Sequence, residues 1–113
     1  MEKRSRGGYV VVLVTCGTRR EAGRIAQTIV ERRVAACVNI VDVPVRSVYR
    51  WKGKVEKSRE FLLIIKSARR RLRALRLEVE RLHSYKVPEF LVLPVLAGAR
   101  AYLAWLDDCV RAR

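Results

Sequence analysis

Apolar and polar positions alternate along this chain in two distinct periods. Residues 9–16, Tyr-Val-Val-Val-Leu-Val-Thr-Cys, are almost wholly apolar and rich in β-branched side chains. That run predicts a central strand covered on at least one face. The period then lengthens. Thr18 and Glu21 form a capping box that starts a helix, and Ala22, Ile25, Ala26, Ile29 and Val30 recur at helical spacing to about Arg33. A second strand is expected over residues 34–51, disturbed at Asp42-Val43-Pro44. Proline cannot donate to a ladder, so Pro44 marks a bulge or an unpaired edge. A Lys52-Gly53-Lys54 turn leads into a return strand, residues 54–66, which ends in Phe61-Leu62-Leu63-Ile64-Ile65.

Ser67 is placed to cap a second helix, whose apolar positions Ala68, Leu72, Leu75, Val79 and Leu82 follow a 4-3-4-3 spacing and end at His83. The result is one stripe with arginines opposite, suited to packing on the sheet. Residues 87–95 read as a fourth strand whose prolines predict an edge, and a last helix from about Ala99 presents Tyr102, Leu103, Leu106 and Val110. The order is β-α-β-β-α-β plus a C-terminal helix, an α+β fold of the ferredoxin-like, split βαβ kind. Right-handed crossovers put the first and third strands in the centre. Both crossover helices then lie on one face, leaving the other open unless another subunit or the last helix covers it.

The hairpin is long for its body. A strand of about 15 residues spans roughly 50 Å, whereas a chain of this size has a radius of gyration near ~13 Å. The tip must bend back or rest on another molecule, which points to an oligomer. Tyr49 and Trp51 share one face of the hairpin by alternation. Stacking on a nucleobase is one use for such rings; anchoring an interface is the favoured one.

The 113 residues make a basic N-terminal tail, residues 1–8, and a single domain, residues 9–113. No apolar run approaches the ~20 residues of a membrane helix. The basic start followed by an apolar run resembles a signal peptide, but that run is β-branched and lacks a small-residue cleavage site. A cytoplasmic location is therefore expected, without membrane association. Cys16, Cys37 and Cys109 show no C-x-x-C spacing and read as small buried apolar residues. The net charge of +14, from 25 Lys plus Arg against 11 Asp plus Glu, raises nucleic acid as a partner. The densest cluster, Arg69-Arg70-Arg71 with Arg73 and Arg76, falls on the second helix and reads as a solvated face. Abundant charge with only Gln27 and Asn39 as side-chain amides is the bias of a thermophile.

Several segments in order carry a family resemblance. They are Ala35-Ala36-Cys37-Val38-Asn39, Tyr49-Arg50-Trp51-Lys52-Gly53-Lys54 with Glu60 and Lys66, His83-Ser84-Tyr85-Lys86-Val87-Pro88-Glu89, and Tyr102-Leu103-Ala104-Trp105. From Tyr9 to Trp105 the chain resembles the CutA family of divalent-cation tolerance proteins. Two positions depart from that pattern: Ser84 stands where the family usually has proline, and Ser67 where it has threonine. The resemblance implies a homotrimer with hairpins crossing between subunits, PII-like in architecture. It also implies a role in tolerance of copper or another divalent cation, with no cofactor required for folding.

His83 is the only histidine and so the only imidazole for a borderline metal. Its alternative role is a helix C-terminal cap. Cys16 with a thiolate and Glu89 with an oxygen are the candidate co-ligands, although Cys16 and Cys37 are expected to be buried and inert. Glu60 and Lys66 share a strand face, either as a rim ion pair or as ligand-orienting groups between subunits. With Tyr49, Trp51, Tyr85 and Trp105 they form the expected trimer interface or inter-subunit pocket. No nucleophile elbow, Walker loop or dinucleotide fingerprint occurs, so the protein is expected to be no enzyme. Three classes remain: a trimeric metal-binding tolerance protein, a PII-like small-ligand regulator, and a basic nucleic-acid-binding module. Nucleic-acid binding is expected to be sequence-independent and confined to low salt, because counterion release would drive it. DNA and RNA affinities across a salt series check this; tight, sequence-selective binding at physiological salt overturns it.

Overall fold

The computed structural model describes residues 2–4 and 8–111. Six strands and three α-helices follow in order: β1 (Glu2–Arg4), β2 (Tyr9–Cys16), α1 (Arg19–Glu31), β3 (Cys37–Trp51), β4 (Lys54–Ala68), α2 (Leu72–Leu82), β5 (Leu91–Pro94), β6 (Ala97–Ala99) and α3 (Arg100–Cys109). A four-stranded antiparallel sheet has the order β3-β4-β2-β5. The two continuous apolar strands, β2 and β4, are therefore central, as the crossover rule requires. The fold is the ferredoxin-like arrangement read from the residues.

Thr18 caps α1, its side chain accepting the Glu21 N–H at 3.1 Å. At the other end, Arg33 takes φ 60°, and the Val34 and Arg33 N–H groups donate to the carbonyls of Ile29 and Val30. This is a Schellman close, with Val34 folding onto Ile29 in the core. The helix face of the sheet presents Val10, Val12, Val14 and Cys16 from β2 and Leu63 and Ile65 from β4. They pack on Ile25 and Ile29 of α1 and on Leu75 and Val79 of α2.

The opposite face is largely bare. Register places Val11 beside Lys66, Leu13 beside Ile64 and Thr15 beside Leu62, with Leu91 and Leu93 of β5 alongside. Leu91 is 57% exposed and Leu93 48%. The last helix covers one corner only, where Leu106 and Val110 meet Ala36, Ala68 and Tyr9.

The hairpin gives the body a long axis of 46 Å against 26 and 24 Å. Its register breaks between Val41 and Val45, the irregularity that Pro44 predicts. Lys52 and Gly53 turn it at φ 50° and 79°.

Four local expectations need correction. Ser67 caps no helix; it lies in β4, fully buried, and its hydroxyl donates to the Val34 carbonyl at 2.7 Å. Ala68 likewise ends β4 rather than opening the helix, and a 3-10 turn, Arg69–Arg71, intervenes before α2. The fourth strand is shorter than residues 87–95, because residues 87–90 leave the sheet. Within the stretch read as a basic tail, Glu2–Arg4 pairs antiparallel with Ala97–Ala99; residues 1 and 5–7 of that tail lie outside the described residues.

Removing the Ser67 hydroxyl strands a buried carbonyl where water cannot replace it. Ser67→Ala is expected to lower stability by about 1–3 kcal/mol, measured by denaturant unfolding; an unchanged midpoint would discount the bond.

Candidate functional site

Two polar features adjoin the C-terminal end of β2. The first is a buried cluster on the helix side. Cys16 ends β2, Glu21 stands in the first turn of α1, and His83 is the C-cap of α2. The sheet topology brings these three ends together, and their donor atoms lie within 4.8 Å of one another.

Hydrogen bonding sets the state of the imidazole. Nε2 sits 2.7 Å from the Thr15 carbonyl, which only accepts, so Nε2 carries the proton. Nδ1 accepts the Tyr85 backbone N–H at 3.0 Å and is therefore bare. The ring is neutral and uses both nitrogens. Glu21 Oε2, 3.5 Å from Nδ1, makes no ion pair with this neutral ring. That oxygen is buried without a hydrogen-bond partner among the described residues, while Oε1 accepts the Ser84 N–H at 2.9 Å. Ser84 thus supplies a donor that the family's usual proline lacks. Burial, and then the charges of Glu21 and Glu60, push the Cys16 thiol up to about 12, so it stays protonated.

The donor set suits a thiophilic or borderline cation. Cys16 Sγ, Glu21 Oε2 and His83 Nδ1 would hold it, at the expense of a thiol proton and the Tyr85 N–H bond. Glu21 was hidden in the sequence because it also belongs to the helix-capping pattern. Glu89 is elsewhere.

The second feature is a cavity of about 570 Å³ on the opposite side of the sheet. Tyr49 and Trp51 of β3, Glu60 of β4, and Tyr85, Val87 and Glu89 wall it. The Tyr85 hydroxyl donates to Glu60 Oε2 at 2.9 Å. Burial and that carboxylate both raise the phenol's pKa. Burial, followed by the charge of Glu60, holds the Glu89 carboxyl above its usual range. A Cβ added to Gly17 would lie 3.1 Å from the Tyr85 hydroxyl, so the bare glycine admits this ring.

Tyr49, Trp51, Glu60 and Tyr85 all line this one cavity. Lys66 and Trp105 do not line this cavity. Glu60 and Lys66 share a face, but six residues separate them by ~20 Å, and no ion pair joins them within the chain. Trp105 instead stacks near Tyr102 on α3, ring centroids 5.4 Å apart. In the arginine cluster, Arg70 pairs with Asp107 at 2.8 Å and Arg76 with Glu80 at 3.3 Å, while Arg71 donates to the Arg33 carbonyl. That face is partly ion-paired.

Comparison with known proteins agrees with this architecture. The family model described as CutA1 divalent ion tolerance protein matches residues 10–109. The divalent-cation tolerance protein CutA of Thermus thermophilus is 45% identical over 98 residues, covering 87% of this chain and 94% of the relative. Its counterpart from Archaeoglobus fulgidus is 36% identical, covering 88% and 95%. Among solved structures, the Thermus thermophilus protein superposes with a TM-score of 0.89 at 42% identity, covering 91% of this chain and 99% of that one. CutA from Synechococcus elongatus gives 0.91 at 33% identity, covering 98% and 96%. A strand order, an overlong hairpin and a family match that spans nearly every element agree: the chain belongs to the CutA1 divalent ion tolerance protein family.

Proposed function

We propose that this protein serves divalent-cation tolerance as a cytoplasmic, non-catalytic homotrimer that binds copper or a similar thiophilic cation. One observation carries the metal reading: a sulfur, a nitrogen and an oxygen donor converge within 4.8 Å, and the oxygen, Glu21 Oε2, is buried without a partner. An orphaned buried carboxylate oxygen is costly, and a bound cation would satisfy it. The Cys16–His83 proximity is a poor catalytic dyad. A nucleophilic cysteine needs a depressed pKa and a free base nitrogen, whereas this thiol is pushed up to about 12 and both ring nitrogens are engaged. Three free cysteines fit a reducing compartment.

Self-association is supported by the bare sheet face of Val11, Leu13, Leu62, Ile64, Leu91 and Leu93. Full burial of each such side chain contributes about 1.5–3 kcal/mol. The number three is what the family resemblance implies. A second reading, a PII-like small-ligand regulator, is favoured by the cavity between the distal half of the hairpin and residues 85–89.

In calorimetric titration with copper, His83→Ala and Cys16→Ser are each expected to weaken binding by at least the roughly tenfold typical of changes around a metal site. Glu89→Gln should leave it unchanged. Wild-type affinity in His83→Ala removes the cluster from metal binding. Leu13→Glu places a charge in the centre of the bare face and is expected to give monomers in light scattering. An intact trimer would move the interface elsewhere.

A further inference from the structure

Two carboxylates, Glu60 and Glu89, line the cavity of this basic chain. With 25 Lys plus Arg against 11 Asp plus Glu, cations are plentiful, and Asp42, Glu78, Glu80 and Asp107 each hold an arginine between 2.7 and 3.6 Å. Glu60 and Glu89 hold none among the described residues. Glu60 is only 7% exposed. Its Oε2 takes the Tyr85 hydroxyl. Lys86 also lines the cavity but forms no ion pair with either carboxylate, so neither has a charge partner at contact distance among the described residues.

The remaining walls define what would bring that charge. Tyr49 and Trp51 offer aromatic rings and Val87 an aliphatic surface. Rings beside carboxylates recognise a cation carried on an apolar body. A bare calcium ion wants about 6–8 oxygen ligands, more than two carboxylates and one phenol supply. The volume, about 570 Å³, lies within the range of small-molecule sites.

We propose that this cavity binds an organic monocation, a primary ammonium or guanidinium on an aromatic or aliphatic body, with its charge between Glu60 and Glu89 and its body against Tyr49 and Trp51. The proposal rests on the small-ligand reading above and not on the metal reading.

Calorimetry on the assembled protein with phenethylamine, phenethyl alcohol, phenylacetate and magnesium ion tests it. Phenethylamine should bind saturably and at least about tenfold more tightly than the alcohol, because only the amine pairs the cavity carboxylates. Phenylacetate should not bind. Glu89→Gln and Glu60→Gln, each checked for an unchanged oligomer by light scattering, should abolish the preference for the amine over the alcohol. If the alcohol or phenylacetate binds as well as the amine, the cavity is a ligand site but the cation assignment falls. If magnesium binds and the amine does not, an inorganic cation replaces it. If nothing binds, the small-ligand reading fails together with the proposal, as it would if a second copy of the chain filled the cavity.

Discussion

The register of the central antiparallel pair governs the molecule. Tyr9 to Cys16 of β2 lie opposite Ala68 to Phe61 of β4 without a break. Because side chains alternate across a pleated strand, this register sorts every neighbouring pair onto opposite faces. Val10, Val12, Val14 and Cys16 go to the helices, whereas Val11, Leu13 and Thr15 go to the bare face. A slip of one residue would exchange the two sets and expose the core. The same alternation separates the two polar features: Cys16 belongs to the buried cluster and Thr15, one residue earlier, to the cavity wall.

These features are nevertheless tied together. The imidazole of His83 spans Thr15 and Tyr85, and Glu21 holds Ser84. Tyr85 then crosses to Glu60 in the cavity. Two of the three groups that would ligate a metal, Glu21 and His83, are therefore the groups that hold the backbone of residues 84 and 85. Anything that takes the Nδ1 lone pair must loosen the segment carrying a cavity wall. The coupling follows from shared atoms and needs no long-range pathway.

The charge of the chain is distributed with similar economy. Arg32 and Arg81 flank Glu78, and Arg70 and Arg111 flank Asp107. Exposed pairs of this kind contribute little singly at room temperature, but linked sets gain as the hydration of ions weakens on heating. The hairpin has no such support. Beyond Val45 it is a two-stranded ribbon with its apolar residues in solvent, and an isolated ribbon is marginally stable. Its order is consistent with a partner surface along its length.

Local pattern determined the strands, the α1 cap at Thr18 and the irregularity at Pro44, since each depends on neighbours a few residues apart, and the handedness of crossovers then set the strand order and the central pair. Tyr49, Trp51, Glu60 and Tyr85 are expected from the sequence at a trimer interface or inter-subunit pocket, and in the single chain all four line the cavity. Ser67 shows where local reading ends: a serine before a helix looks like a cap, but β4 continues past it and turns its hydroxyl toward Val34, 33 residues away in the chain. Glu21 is the same case in reverse, a capping-box residue whose carboxylate is shared with Ser84, 63 positions on. Glu89 left the histidine's company because residues 87–90 swing out of the sheet toward Glu60. Hydrogen bonds between distant segments leave no periodic trace in a sequence; only the packed tertiary structure, by bringing strand and helix ends together, decided which polar groups meet.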